Sequence, residues 1–222
     1  GPWSVHIVSI ERNRPDFAYV SSLAQTNVFG LSPVSRQVKH LSVPGKPLAA
    51  INGDFFVIKI GPYQGDPIGL HISGSELVSG SNRPAFWFDA NGEPRLGEVK
   101  TNIKINLGQG DSLEAGLNRE RNEGDIVLYT PVLGESTRTQ GGRELDIALA
   151  NPADDEPEVG ESWKGAVAAV STEGSTSLKQ GHVVLSFGAK LADQYEAIKV
   201  GDSVSIQFGS QPDLTGVQTA IG

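Results

Sequence analysis

The chain has 222 residues, 38% of them hydrophobic and 20% charged, an ordinary balance for a globular chain long enough to bury a core without covalent staples. Its formal net charge of −8, with no basic block, excludes a nucleic-acid or anionic-membrane surface, which needs clustered Lys and Arg. There is no Cys, which excludes disulfides, thiolate nucleophiles and Cys-ligated zinc, and no run approaches the roughly 18 apolar residues of a membrane span.

Residues 3–10 alternate, with Trp3, Val5 and Ile7 on one face and His6, Val8 and Ile10 on the other, which predicts a strand. Residues 32–41 predict a helix: Ser32 suits the N-cap, Pro33 the first turn, and Val34, Val38 and Leu41 form one apolar stripe. Gly45 and Pro47 end it, and residues 48–51 read as a short buried strand running into Asn52-Gly53-Asp54. Further strands are expected at 55–60, 68–72 and 85–88, the last followed by an Asn91-Gly92 hairpin turn. The series continues at 101–107, 125–130, 144–150, 166–171, 183–187 and 203–208. A second helix is expected at about 189–199, where Leu191, Tyr195 and Ile198 stand at helical spacing and Gly201-Asp202 closes the element. Residues 151–161, rich in Pro, Asp and Glu, read as a solvated loop between strands. The expected class is therefore α+β, dominated by strands in mixed sheets with two main helices, and the whole of 1–222 is read as one domain.

Chemistry concentrates in three segments. Ile51-Asn52-Gly53-Asp54-Phe55-Phe56 carries an apolar strand into a polar turn and two aromatics, with Asn52 and Asp54 projecting from a strand end. Gly65-Asp66-Pro67-Ile68-Gly69-Leu70-His71-Ile72 and Asn82-Arg83-Pro84-Ala85-Phe86 add a carboxylate, an imidazole and a guanidinium. Read from residue types alone, the first segment is better explained by a turn with its aromatics in the core, His71 by a packed or surface residue and Arg83 by a surface ion pair. The four His are scattered and form no His-x-x-x-His pair, so no metal is expected. No phosphate-binding loop, dinucleotide fingerprint or nucleophile elbow occurs, so no cofactor is expected either.

Taken in order, these segments resemble the phosphodiester glycosidase family over nearly the whole chain. The likeness starts at Gly30-Leu31-Ser32-Pro33-Val34-Ser35 and runs through Ala50-Ile51-Asn52-Gly53-Asp54-Phe55-Phe56, where members carry Asn-Ala-Gly-Phe-Phe or close variants. It continues through Pro67-Ile68-Gly69-Leu70, the Gly74-Ser75-Glu76-Leu77-Val78 hairpin, Arg83 with residues 86–92, Leu128-Tyr129-Thr130-Pro131 and Val183-Val184-Leu185-Ser186. Residues 216–222 look like the start of the Ala-Ile-Gly-Gly-Gly-Pro segment of members. Members continue into an Arg-Thr-Ala segment and a glycine-rich Asp-Gly-Gly-Gly-Ser motif, neither of which occurs in this sequence.

The resemblance implies a hydrolase that cleaves a sugar-1-phosphodiester, with this chain an incomplete part of the domain. Phosphorylated carbohydrate or glycan is the expected partner, together with a C-terminal fragment of the same protein. Asp54 and His71 are the implied catalytic residues, and Asn52, Gly53, Phe55, Phe56, Gly69 and Arg83 the implied substrate-binding ones. The absence of Met means that the chain does not begin at its own initiator, and a secreted or extracytoplasmic location is expected. The rival readings are a carbohydrate- or cell-wall-binding module without turnover and a purely structural domain of a surface protein.

Overall fold

The computed structural model describes residues 2–222 apart from 12, 13, 15, 26, 27, 42, 44, 109–111, 154 and 155. Its regular structure is one short helix, α1 (Val34–His40), and strands β1 (His71–Ser73), β2 (Glu76–Ser79), β3 (Asn82–Phe88), β4 (Pro94–Asn106), β5 (Leu113–Leu117), β6 (Ile126–Tyr129), β7 (Arg143–Leu149), β8 (Ser162–Ser171), β9 (His182–Phe187), β10 (Ser203–Gln211) and β11 (Thr219–Ile221). All the strands belong to one 11-stranded mixed sheet. Only β5 and β6 run parallel. The expected strand-dominated fold is present.

The sheet closes on itself. β4 pairs with β5 and β10, and β10 leads through β8, β7, β9 and β6 back to β5, so these strands form a ring without a free edge. β4 is long enough to serve two structures. Its N-terminal half pairs with β3 (Pro84↔Glu98), while its C-terminal half pairs with β10 (Ile206↔Ile105). From β3 the sheet continues outward through β11, β1 and β2.

Side-chain alternation sorts the core into two clusters. Val183, Leu185 and Phe187 of β9 point into the main core with Ile103, Ile105, Leu145, Ile147 and Trp163. Val184, between them, packs into a second cluster with Val127, Tyr129, Leu133, Phe29 and Leu23. Strands covered on both faces read as unbroken apolar runs, as Val183-Val184-Leu185 does. The hairpin after β3 forms as its sequence requires: Gly92 adopts φ 77°, and Asp89 Oδ1 accepts from the N–H groups of Asn91 and Glu93.

Four expected elements differ. Residues 3–10 and 48–51 form no strand, and Trp3 is 94% exposed. Residues 55–60 form a single bridge, Phe56↔Pro67, within an irregular loop held by Val57 N–H to Asp66 O (2.9 Å) and Ile68 N–H to Phe55 O (2.9 Å). Alternation gives these segments one apolar face, but a strand also needs a neighbour for its backbone groups, and the ring offers none. The second helix is the fourth. Residues 189–199 contain only a 3-10 turn, Ala192–Tyr195, because their N–H groups bond three residues back, as in Gln194 to Leu191 and Ile198 to Tyr195. Its apolar residues still do what the spacing predicts, and Tyr195 stacks on Phe187 with centroids 4.2 Å apart. Helix α1 is shorter than 32–41, since Pro33 has ψ 142° and is itself the cap.

Candidate functional site

β11 organises the site. It slots between β1 and β3, with His71 opposite Ile221, Trp87 opposite Ala220 and Phe86 opposite Ile221. That places Gly222 against the Gly69-Leu70 backbone, so close that a Cβ on Gly222 would lie 2.6 Å from Leu70 N. Gly69 is hemmed in equally: a Cβ there would meet Asp54 Oδ1 at 2.7 Å and Gly222 Cα at 2.8 Å. A Cβ at Gly53 would lie 2.9 Å from Ile221 Cδ1. Glycine at these positions lets three backbone segments converge on one carboxylate.

That carboxylate is Asp54. Its Oδ2 accepts from Gly69 N–H at 3.2 Å, while Oδ1 is buried without a partner. Burial pushes its pKa up to about 6, against the opposing pull of the Gly69 and Phe55 N–H groups and the Arg83 charge. A carboxyl poised near neutrality with one oxygen unused has the properties of a general acid or base. His71, two residues beyond Gly69, is 6% exposed, and its Nε2 also lacks a partner. Burial pushes it down to about 4, so it is a neutral imidazole at pH 7. Since Asp54 Oδ1 and His71 Nε2 are both unpartnered, they are not bonded to each other.

The structure thus gathers Asp54, Gly69 and His71 around the end of β11, brings Gly53 against Ile221, and sets Arg83 within electrostatic reach of Asp54. Asn52 and Arg83 are exposed. Phe55 and Phe56 are not core residues: they are 79% and 42% exposed.

Two polar clusters escaped the reading of the sequence. Asp66, buried and pushed up to about 6 by that burial, pairs with Arg138 at 3.2 Å, and Arg138 also donates to Pro62 O and Leu133 O. Glu144 is fully buried and accepts from Thr139 (2.8 Å), Ser186 (2.7 Å), Thr137 (3.1 Å) and the Thr176 N–H (3.0 Å). Each cluster joins near neighbours to distant segments, Asp66 to Arg138 and Glu144 to Thr176 and Ser186, so no local spacing announces either. A charged residue inside an apolar strand pattern, as in Arg143-Glu144-Leu145-Asp146-Ile147, is the one local signal.

No known family profile matches the chain, and no curated protein matches it. Solved structures share the fold, among them the following two. A hypothetical protein from Synechocystis superposes with a TM-score of 0.66 at 19% identity, covering 90% of this chain and 35% of that one. A Burkholderia pseudomallei K96243 protein named "putative exported protein" superposes with a TM-score of 0.63 at 21% identity, covering 91% of this chain and 45% of that one. The chain therefore spans less than half the length of each. Neither name states an activity.

Proposed function

We propose that this chain is part of a hydrolase domain of the phosphodiester glycosidase type, acting on sugar-1-phosphodiesters with Asp54 as its carboxylate. The observation that carries the reading is Asp54 itself: a carboxyl near pKa 6, fixed through one oxygen by Gly69 N–H, with the other oxygen free. A phosphate leaving group is weakly basic and needs little protonation. The site must instead activate water or stabilise oxocarbenium charge at the anomeric carbon, which one well-placed carboxylate does.

In this reading Arg83 pairs with the phosphate in a forked geometry, neutral His71 donates a hydrogen bond to it, and Asn52 orients substrate or water. Gly53 and Gly69 keep the backbone close to the reacting groups, and Phe55 or Phe56 forms an apolar wall under the sugar. The partnerless Asp54 and His71 atoms, together with the exposed apolar side chains of Trp3, Ile7, Ile51, Ile58 and Ile60, support a site completed by further polypeptide of the same protein. A secreted or extracytoplasmic setting suits a glycan substrate and the name of the Burkholderia neighbour.

The exposed pair Phe55 and Phe56 also favours a second reading, a carbohydrate-binding module that stacks sugars without turnover. One assay separates the two: release of phosphate monoester from a sugar-1-phosphodiester by the longest available form of the protein, alongside its Asp54→Asn variant. Turnover abolished by Asp54→Asn supports the hydrolase. Saturable glycan binding without product, in a folded protein, overturns it in favour of the binding module.

A further inference from the structure

A cavity of about 310 Å³ lies between α1 and the chain segment before it, lined by Ser22, Leu23, Gln25, Leu31, Arg36 and His40 among others. Its volume is at the small end of the range for small-molecule sites, roughly 300–1,000 Å³. Arg36 and His40 stand four residues apart on α1 and so occupy the same helix face. No acidic residue lines the cavity, and among the described residues no carboxylate lies within ion-pair distance of Arg36. In a chain of net charge −8, Arg36 is thus a guanidinium that keeps its charge unneutralised at the rim of a half-open cavity.

We infer that this cavity binds a small phosphate monoester, with the phosphate on Arg36 and His40 and its apolar body against Leu23, Leu31 and Leu41. The donor set favours phosphate over carboxylate. A carboxylate is satisfied by one guanidinium fork, whereas the three terminal oxygens of a phosphate need donors from several directions. Around Arg36 these are the His40 ring, the hydroxyls of Ser22 and Ser32 and the Gln25 carboxamide. Gln37 holds the wall in place, donating to Ser32 O at 3.0 Å and accepting a long 3.4 Å bond from Ser22. A bond of that length yields readily to a better acceptor. The cavity contains none of the residues assigned to the Asp54 site, so this inference stands apart from the proposed function.

The test is an amide NMR titration of the chain with inorganic phosphate, phenyl phosphate and benzoate at low ionic strength. Saturable shifts are expected at 22–25 and 36–41, with phenyl phosphate binding tighter than either other probe. Arg36→Gln should weaken phenyl phosphate by about tenfold or more, the scale of a lost charge-assisted pair. Arg36→Lys should fall between, since it keeps the charge and loses the fork. Arg36 is exposed on a short helix, so in both variants the rest of the spectrum should be unchanged. Equal binding by Arg36→Gln, benzoate binding as tightly as phenyl phosphate, or no saturation by about 50 mM phosphate, a concentration at which binding is barely selective, overturns the inference. So does a response centred on Asp54, Gly69 and Arg83, which would instead support the proposed hydrolase site.

Discussion

Replacing Asp54 by Asn should stabilise the protein at pH 7 and leave it nearly unchanged at pH 4. The folded carboxyl has a pKa of about 6, whereas an unfolded aspartate has about 3.9. Well below pH 3.9 both states are protonated and Asp54 costs nothing; at pH 4 the unfolded carboxyl is about half ionised and the cost is still small. Between pH 3.9 and 6 the unfolded chain releases the proton first, so stability falls as pH rises, and above 6 the loss is complete. At full burial the difference is about 3 kcal/mol, but Asp54 retains contact with solvent, and screening reduces this to about 1–2 kcal/mol. Asn keeps the shape and an oxygen for Gly69 N–H while removing the charge. Urea unfolding of both proteins at pH 4 and pH 7 reads the effect. His71 and Asp66 titrate in the same window, but they are common to both proteins and cancel in the difference. A variant no more stable than the parent at pH 7, or one whose advantage is the same at both pH values, would refute the reasoning and with it the general acid–base role.

His71 should act in the opposite sense: its folded pKa of about 4 lies below the unfolded value of about 6.5, so its contribution is lost as pH falls from 6.5 to 4. His71→Gln should therefore flatten the acid limb of the stability–pH curve, and an unaltered limb would count against a neutral buried imidazole. Gly69→Ala drives a methyl to 2.7 Å from Asp54 Oδ1 and 2.8 Å from Gly222 Cα. A loss of about 2–3 kcal/mol by urea unfolding is expected, with the Asp54 titration displaced. Glu144→Gln leaves the Thr176 N–H facing either an amide or a rearranged network, and should cost about 2–4 kcal/mol by the same measurement.

Six of the seven ring strands were legible because each carries its own signal; β5 (Leu113–Leu117), with only two large apolar residues at its ends, was not assigned. Alternation in β4 puts Ile103 and Ile105 inside, and the apolar run of β9 reports burial on both faces. The Asn91-Gly92 turn is a local matter and is read locally. What the sequence alone did not reveal depends on distant partners. Residues 3–10, 48–51 and 55–60 have strand composition but no neighbouring strand, and pairing rather than propensity decides such cases. At 189–199 the helical spacing of Leu191, Tyr195 and Ile198 is real, but three-residue turns satisfy the same contacts. Asp54 and His71 stood out by residue type, yet what sets their environment is the insertion of β11 between β1 and β3. β11 is only three residues long and escaped assignment as a strand.

The exposed apolar side chains have an energetic consequence. Fully burying one large apolar side chain is worth about 1.5–3 kcal/mol, so covering Trp3, Ile7, Ile51, Phe55, Ile58 and Ile60 would contribute roughly 10 kcal/mol. That is of the order of the net stability of a whole domain. The ring, by contrast, is closed and has its own core, so its integrity does not depend on those segments. The two parts should therefore open independently. In limited trypsinolysis Lys59, in the irregular loop, should be cut well before Lys104 in β4 or Lys164 in β8. The nicked protein should keep the near-ultraviolet signal of Trp163, whose ring packs on Phe208 at 4.6 Å. A polypeptide that covers the exposed segments should suppress the Lys59 cut specifically. Cleavage at all three lysines at one rate would mean that the loop and the ring unfold as a unit, and that the ring does not stand alone.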